Sequence, residues 1–338
     1  MATTFLVPQS LTWDKLCALF IHMWAADGAM PPAALLNHLK VRGHRICFQD
    51  EGDVPEDCVD VDVIEPYNRD QRIGSATEKA VDMYGLDDLP GASRLIELMN
   101  ANNRTGYLKE SDHSLVALIR ELNKVGTAHP SIERRLHDVA MLWIAVRVYF
   151  LASDIEPESV ARLSNPFTVK NMVLLMGKIG VADQAIIAFQ AHLDNAFAKT
   201  DNATNKAQEK ALSIQPVCRF AVKVKDRLGQ HVAGHVIQTD DTRVPAQYMR
   251  EHLEVCVLVN LRRSGNVAIM CRGEQDFTLL FEALEGRDPG RWYLFQKQGR
   301  SPMVLNGSTS RSAPPTQISL SELVTMIIAH HEHRSRRA

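Results

Sequence analysis

Four aspartates carry the chemistry this chain could perform: Asp14, Asp60, Asp62 and Asp70. Asp60 and Asp62 sit in "CVDVDVI", where Val and Asp alternate as on a strand, so the two carboxylates point to one side. Asp70 lies in the polar turn that follows, with Asn68, Arg69, Gln71 and Arg72. Asp14 opens an apolar helix behind the short run "TFLV". Carboxylates at the ends of parallel strands are what a metal-dependent phosphoesterase needs. With imidazoles they hold two divalent ions, and a bridging water becomes the nucleophile.

The elements that must position these residues read as alternating strand and helix. "TFLV" is followed by "LTWDKLCALFIHMWAADG", which has apolar residues at helical spacing and stops near Gly28 and Pro31-Pro32. "RICF" and "CVDVDVI" read as strands. Ser75 can cap the helix "SATEKAVDMYG", and Glu78 three residues on completes a capping-box pattern. This alternation predicts an α/β domain with a parallel sheet and flanking helices over residues 1–125. Residues 126–215 read as a helical middle whose last helix turns polar after Lys199, as a solvated helix linking two domains would. Residues 216–333 read as a smaller α+β domain, and residues 334–338 as a frayed tail.

At the turn before Ser75-Ala76-Thr77 the chain resembles the DHH phosphoesterase superfamily, in its exonuclease-like branch with a C-terminal substrate-binding domain. That branch follows an Asp-bearing strand with Phe-Asp-His-His-Gln and then Ser-Ala-Thr. Here Tyr67 and Gln71 match, and Asn68-Arg69-Asp70 stands for Asp-His-His. In the first motif, "PQSLTWD", only Asp14 survives, with Gln9 near the expected His. A further ligand Asp is implied where Asn102 or Asn103 stands. Near the C-terminus, "RWYLFQ…VLNGSTS…PPTQISLSELV" is similar to the family's closing segment. The likeness covers residues 1–125 and 250–330.

The departures fall on the ligands. Asn does not neutralise a dication, and Arg stays protonated and cannot ligate one. At ~5 Å and an effective dielectric of ~20, an Arg charge opposes each unit of cation charge by about 3 kcal/mol. The resemblance therefore implies a homologue degenerate in its metal-ligand motifs, with no metal or other cofactor. Its expected role is that of a nucleic-acid- or nucleotide-binding module, or of a structural or regulatory subunit. Arg69 and Arg72 on one side, with Arg300 and the Asn306, Gly307 and Ser308 turn on the other, are the expected phosphate contacts. Arg291, Trp292, Lys297 and Arg311 extend that basic stretch. One alternative is an active phosphodiesterase or exonuclease using Mn²⁺ or Mg²⁺ on a site rebuilt from Asp14, Asp60, Asp62 and Asp70. Another is a protein-interaction scaffold built on the central helices, with a protein partner or a second copy of the chain as its occupant.

Composition narrows the classes. The 338 residues are 45% hydrophobic and 23% charged, with a net charge of −2, which excludes a strongly basic nucleic-acid coat. No run approaches the ~20 apolar residues of a membrane span. The N-terminus lacks a basic and apolar leader pattern. Six scattered cysteines without CxxC spacing fit reduced, mostly buried thiols. A cytoplasmic location is the expectation. "RRSGN" reads as a hairpin turn with Gly265 at positive φ. His330, His331 and His333 read as a solvated helical tail.

Overall fold

A computed structural model describes residues 2–8, 11–49, 57–61, 74–123, 131–223, 231–272, 276–295, 301–306 and 314–337. The chain divides into two compact units, Met1–Asp201 and Asn202–Ala338.

Unit 1 begins with β1 (Thr4–Val7), which alternates half-buried Thr4 and Leu6 with buried Phe5 and Val7. Helix α1 (Trp13–Asp27) follows. Its residues from Trp13 to Met23 are all buried but Lys15, so it is a central helix packed on several sides. It ends at Gly28, whose φ of 66° lets its N–H reach back to the Trp24 carbonyl. Then come α2 (Leu35–Arg42), β2 (Arg45–Phe48) and β3 (Cys58–Asp60). The three strands form a parallel sheet in the order β2-β1-β3, with Leu6 opposite both Cys47 and Asp60. The helices α3 (Ala76–Tyr84), α4 (Ala92–Thr105) and α5 (Leu115–Leu122) complete the α/β part.

The helices α6 (Ile132–Ile155), α7 (Pro157–Ala161) and α8 (Val169–Lys178) lead into α9 (Asp183–Ser213). They share one hydrophobic core with the sheet: Phe20 of α1 stacks on Phe150 of α6 at 5.3 Å and tilts against Trp143 at 4.7 Å. The helical stretch and the sheet are thus one folding unit as far as the middle of α9.

Unit 2 takes up the second half of α9 and carries β4 (Cys218–Lys223), β5 (His231–Gln238), α10 (Val244–Glu251), β6 (Val255–Leu261) and β7 (Val267–Cys271). It continues with α11 (Thr278–Arg287), β8 (Tyr293–Phe295), β9 (Met303–Leu305) and α12 (Leu320–Arg337). Its mixed six-stranded sheet runs β4-β5-β6-β7-β9-β8, with β5 and β6 parallel and the other pairs antiparallel. The hairpin between β6 and β7 turns where expected, with Gly265 at φ 85°. The architecture is mixed α/β, with twelve α-helices and nine strands among the described residues.

Two expectations are corrected here. The second half of α9 is not simply solvated, because Ala207 and Ala211 are fully buried against a cluster with Tyr248 and Leu258. Their four-residue spacing puts both methyls on one face, and small side chains let the helix approach closely. His330 and His331 are buried and edge-on to Phe277, at 5.9 and 6.2 Å, rather than solvated, and α12 runs on to Arg337. Aromatic contact with Phe277 is what draws the two imidazoles inward.

Candidate functional site

Asp14 lies in the first turn of α1, immediately after β1, and is 8% exposed. Its side chain turns to the N-terminus of α3. Oδ2 accepts from the Ala76 N–H at 3.0 Å and Oδ1 from the Thr77 N–H at 3.1 Å. The Thr77 hydroxyl donates to Oδ1 at 2.7 Å, with the Asp14 carbonyl at 3.0 Å as alternative acceptor. Asn103 of α4 donates from Nδ2 to Oδ2 at 3.0 Å. The carboxylate therefore caps a neighbouring helix while standing in the first turn of its own, with both helix dipoles favouring its charge.

The other orphan donors of α3 are also satisfied. Glu78 N–H donates to Ser75 Oγ at 3.1 Å, which is the forward half of the capping box. The reverse half is redirected: Ser75 N–H donates to Asn100 Oδ1 at 2.8 Å, and Asn100 Nδ2 donates to Glu78 Oε2 at 3.0 Å. Backbone donors that could have cradled a phosphate at this helix end are thus taken by protein acceptors.

The other sequence-expected residues divide. Asp60 ends β3, opposite Leu6, and is half-buried. Asp62, Arg69, Asp70, Arg72, Arg300, Gly307 and Ser308 lie outside the described residues, as do Asn68, Lys297 and Arg311. Asn306 does not serve as expected. It is fully buried, with Nδ2 donating to the Arg291 and Pro314 carbonyls at 2.8 and 3.0 Å. Its Oδ1 accepts from Thr316 N–H at 3.1 Å and Asn266 Nδ2 at 3.2 Å. All four positions of the amide face protein, so Asn306 braces a loop and leaves no side-chain position for a ligand. Trp292 is likewise buried in the unit 2 core, and Arg291 pairs with Asp288 at 2.9 Å.

Sequence reading pointed to Asn103, one of the two positions where a ligand Asp was implied, and missed Asn100. Their i, i+3 spacing on α4 puts both amides on one face, and that spacing was the available signal. It also missed Asp27, His38 and His44, which bring ligand-type atoms within 4.8 Å of one another. Among the described residues no other such group of three forms. His38 Nε2 donates to Asp27 Oδ2 at 2.6 Å, and His44 Nε2 to Oδ1 at 3.2 Å. His44 Nδ1 accepts from the Thr3 N–H at 3.0 Å. A backbone amide can only donate, so the His44 proton sits on Nε2, the atom a metal would need. The donor set therefore fits a hydrogen-bonded brace between α1 and β2 better than a metal. Burial works to raise the Asp27 pKa, but hydrogen bonds from His38 and His44 outweigh it and hold it below its ordinary value.

No family model matches the chain, and no curated protein matches it. Among solved structures, the crystal structure of an uncharacterized protein from Helicobacter pylori G27 is similar over 97% of this chain and 99% of that one. The identity is 10% and the TM-score 0.21, a likeness too weak to carry an argument.

Among the described residues, no helix is long and apolar enough to cross a membrane. Cys17, Cys47 and Cys271 are buried.

Proposed function

We propose that this protein is a catalytically degenerate homologue of DHH-type phosphoesterases that serves as a structural or regulatory subunit, with nucleic acid or a nucleotide as its ligand class. One observation carries the reading: Asn103 Nδ2 donates to Asp14 Oδ2. In an active site of this kind two carboxylates share a cation, whose charge holds them together. An amide at the position implied for the second carboxylate satisfies Asp14 directly and needs no cation. The helix dipoles and backbone donors of α3 supply the rest of the compensation.

The same arrangement disfavours the enzyme alternative. A metal recruited by Asp14 would have to displace protein donors already at 2.7–3.1 Å. Nucleotide contacts, on this reading, come from the guanidinium groups of Arg69, Arg72 and Arg300, holding phosphate without activating water.

The test is metal content and hydrolysis measured together. Purified protein equilibrated with 1 mM MnCl₂ and desalted should retain no stoichiometric Mn²⁺ and should not hydrolyse bis(p-nitrophenyl) phosphate or a short oligonucleotide. Two Mn²⁺ per chain, lost together with activity in Asp14→Ala, would sink the reading and restore the enzyme. Binding is tested separately: Arg69→Ala with Arg300→Ala should weaken oligonucleotide binding by roughly ten- to a hundredfold per arginine.

A further inference from the structure

Unit 1 contains a cleft of about 690 Å³ between the start of α2, α6, the end of α8 and the first half of α9. That volume lies within the roughly 300–1,000 Å³ of small-molecule sites. Met141, Ile144 and Leu151 of α6 form one wall, and Phe189 of α9 faces the same space. Among the described residues, no aspartate or glutamate lines the cleft. Its polar groups are few: Arg147, with Asn37, His137 and His192 as exposed lining residues.

Arg147 is the group out of place. It stands on α6 among apolar neighbours, partly buried, and its Nε donates to the Pro31 carbonyl at 3.0 Å. No carboxylate pairs with it among the described residues. Burial pulls its pKa below the usual guanidinium value, with no acidic neighbour to offset the effect. A charge held against hydrocarbon without a counter-ion raises the free energy of the empty cleft. An anion from outside would lower it, and the two imidazoles add no negative charge to oppose one.

We propose that this cleft binds a small amphipathic carboxylate of the fatty-acid kind, its alkyl chain lying along Met141, Ile144 and Phe189 and its head on Arg147. The apolar walls supply the affinity, since burial of each methylene tightens binding roughly fourfold. Arg147 supplies orientation and selects an acid over an alcohol of the same length. This inference is independent of the phosphoesterase resemblance, which does not extend to the central helices.

Calorimetric titration tests it, with sodium dodecanoate and 1-dodecanol as probes. Dodecanoate should bind the native protein saturably at one per chain, and roughly tenfold or more tighter than dodecanol. Arg147→Met should abolish that preference. Ala188→Trp, at an exposed helical position lining the cleft, should block dodecanoate without disturbing the core. The proposal is overturned if native protein shows no saturable dodecanoate binding, if dodecanol binds equally well, or if Ala188→Trp leaves the affinity unchanged. A dimer in sedimentation that Ala188→Trp dissolves, without dodecanoate binding, would also overturn it and assign the cleft to a second copy of the chain.

Discussion

The surroundings of Asp14 are those of a helix cap. Two backbone N–H groups, a hydroxyl and an amide converge on it. Removing it in Asp14→Ala would orphan the first donors of α3 in a buried setting, and we expect a loss of roughly 2–4 kcal/mol in urea unfolding. Asn103→Asp is the sharper probe. It would replace a donor at 3.0 Å with a second carboxylate, and like charges that close disfavour joint ionisation. The variant should lose about 1–3 kcal/mol at neutral pH. It should regain stability on acidification or with added Mn²⁺, whereas native protein should not respond to Mn²⁺. A variant as stable as native without metal would remove the argument that Asn103 stands in for a cation. From sequence, Asp14 was identifiable as a site residue and Asn103 as one of two candidate positions beside it, but the bonds from Asp14 to α3 were not. Which way a buried carboxylate turns depends on how α1 packs on α3, and no local pattern encodes that.

At the scale of elements, local rules worked where local chemistry decides. Ser75 caps α3 as its sequence predicts, and the 262–266 turn closes with Gly265. They failed where a tertiary neighbour took over: Asn100 displaces Glu78 from the return bond to Ser75, and Phe277 draws in His330 and His331. Gly91 shows how tightly α4 and α6 are fitted. It precedes α4 at φ 83°, and its carbonyl accepts from the Tyr149 hydroxyl at 2.9 Å. A Cβ there would fall 2.3 Å from Ser153 Oγ and 2.6 Å from Ser153 Cβ. Gly91→Ala therefore combines a left-handed backbone penalty with overpacking, and should cost roughly 2–4 kcal/mol. Gly85 has a similar φ of 61° but nothing within 4 Å of a built Cβ. Gly85→Ala should cost only about 1 kcal/mol, from the backbone alone. Equal losses in the two variants, measured by urea unfolding, would show that packing at Ser153 gives way freely.

At the scale of the whole molecule, the two compact units divide inside α9, at Asp201, within the stretch 126–215 that the sequence marks as a helical region and linker. The polar surface of that helix masked the alanines that commit its second half to unit 2. Two compact units make a single unfolding free energy ill-defined, so pH effects need a probe for one unit. The tryptophans supply it: Trp13, Trp24 and Trp143 belong to unit 1 and only Trp292 to unit 2. In a Trp292→Phe background, fluorescence reports unit 1 alone. Unit 1 holds His22, 3% exposed, with Nδ1 at 2.9 Å from the Tyr84 hydroxyl. Burial raises the Tyr84 pKa, so the phenol keeps its proton and donates, and burial lowers the His22 pKa to about 4. The unfolded chain takes up that proton near pH 6.5 and the folded chain only near 4. Stability from this group is thus complete above pH 6.5 and falls as pH drops through that window, by roughly 2 kcal/mol at pH 5. Asp27 acts in the same direction but lower, because a depressed carboxylate loses its contribution only below its unfolded pKa of 3.8. Asp138, whose pKa burial raises, opposes both by favouring the protonated folded form as the pH approaches 4. Urea unfolding followed by fluorescence at pH 7.5, 6 and 5 should show the decline in the Trp292→Phe protein. His22→Gln, which keeps a polar partner for Tyr84 but cannot titrate, should flatten it. An unchanged slope in His22→Gln would move the acid sensitivity of unit 1 to another group.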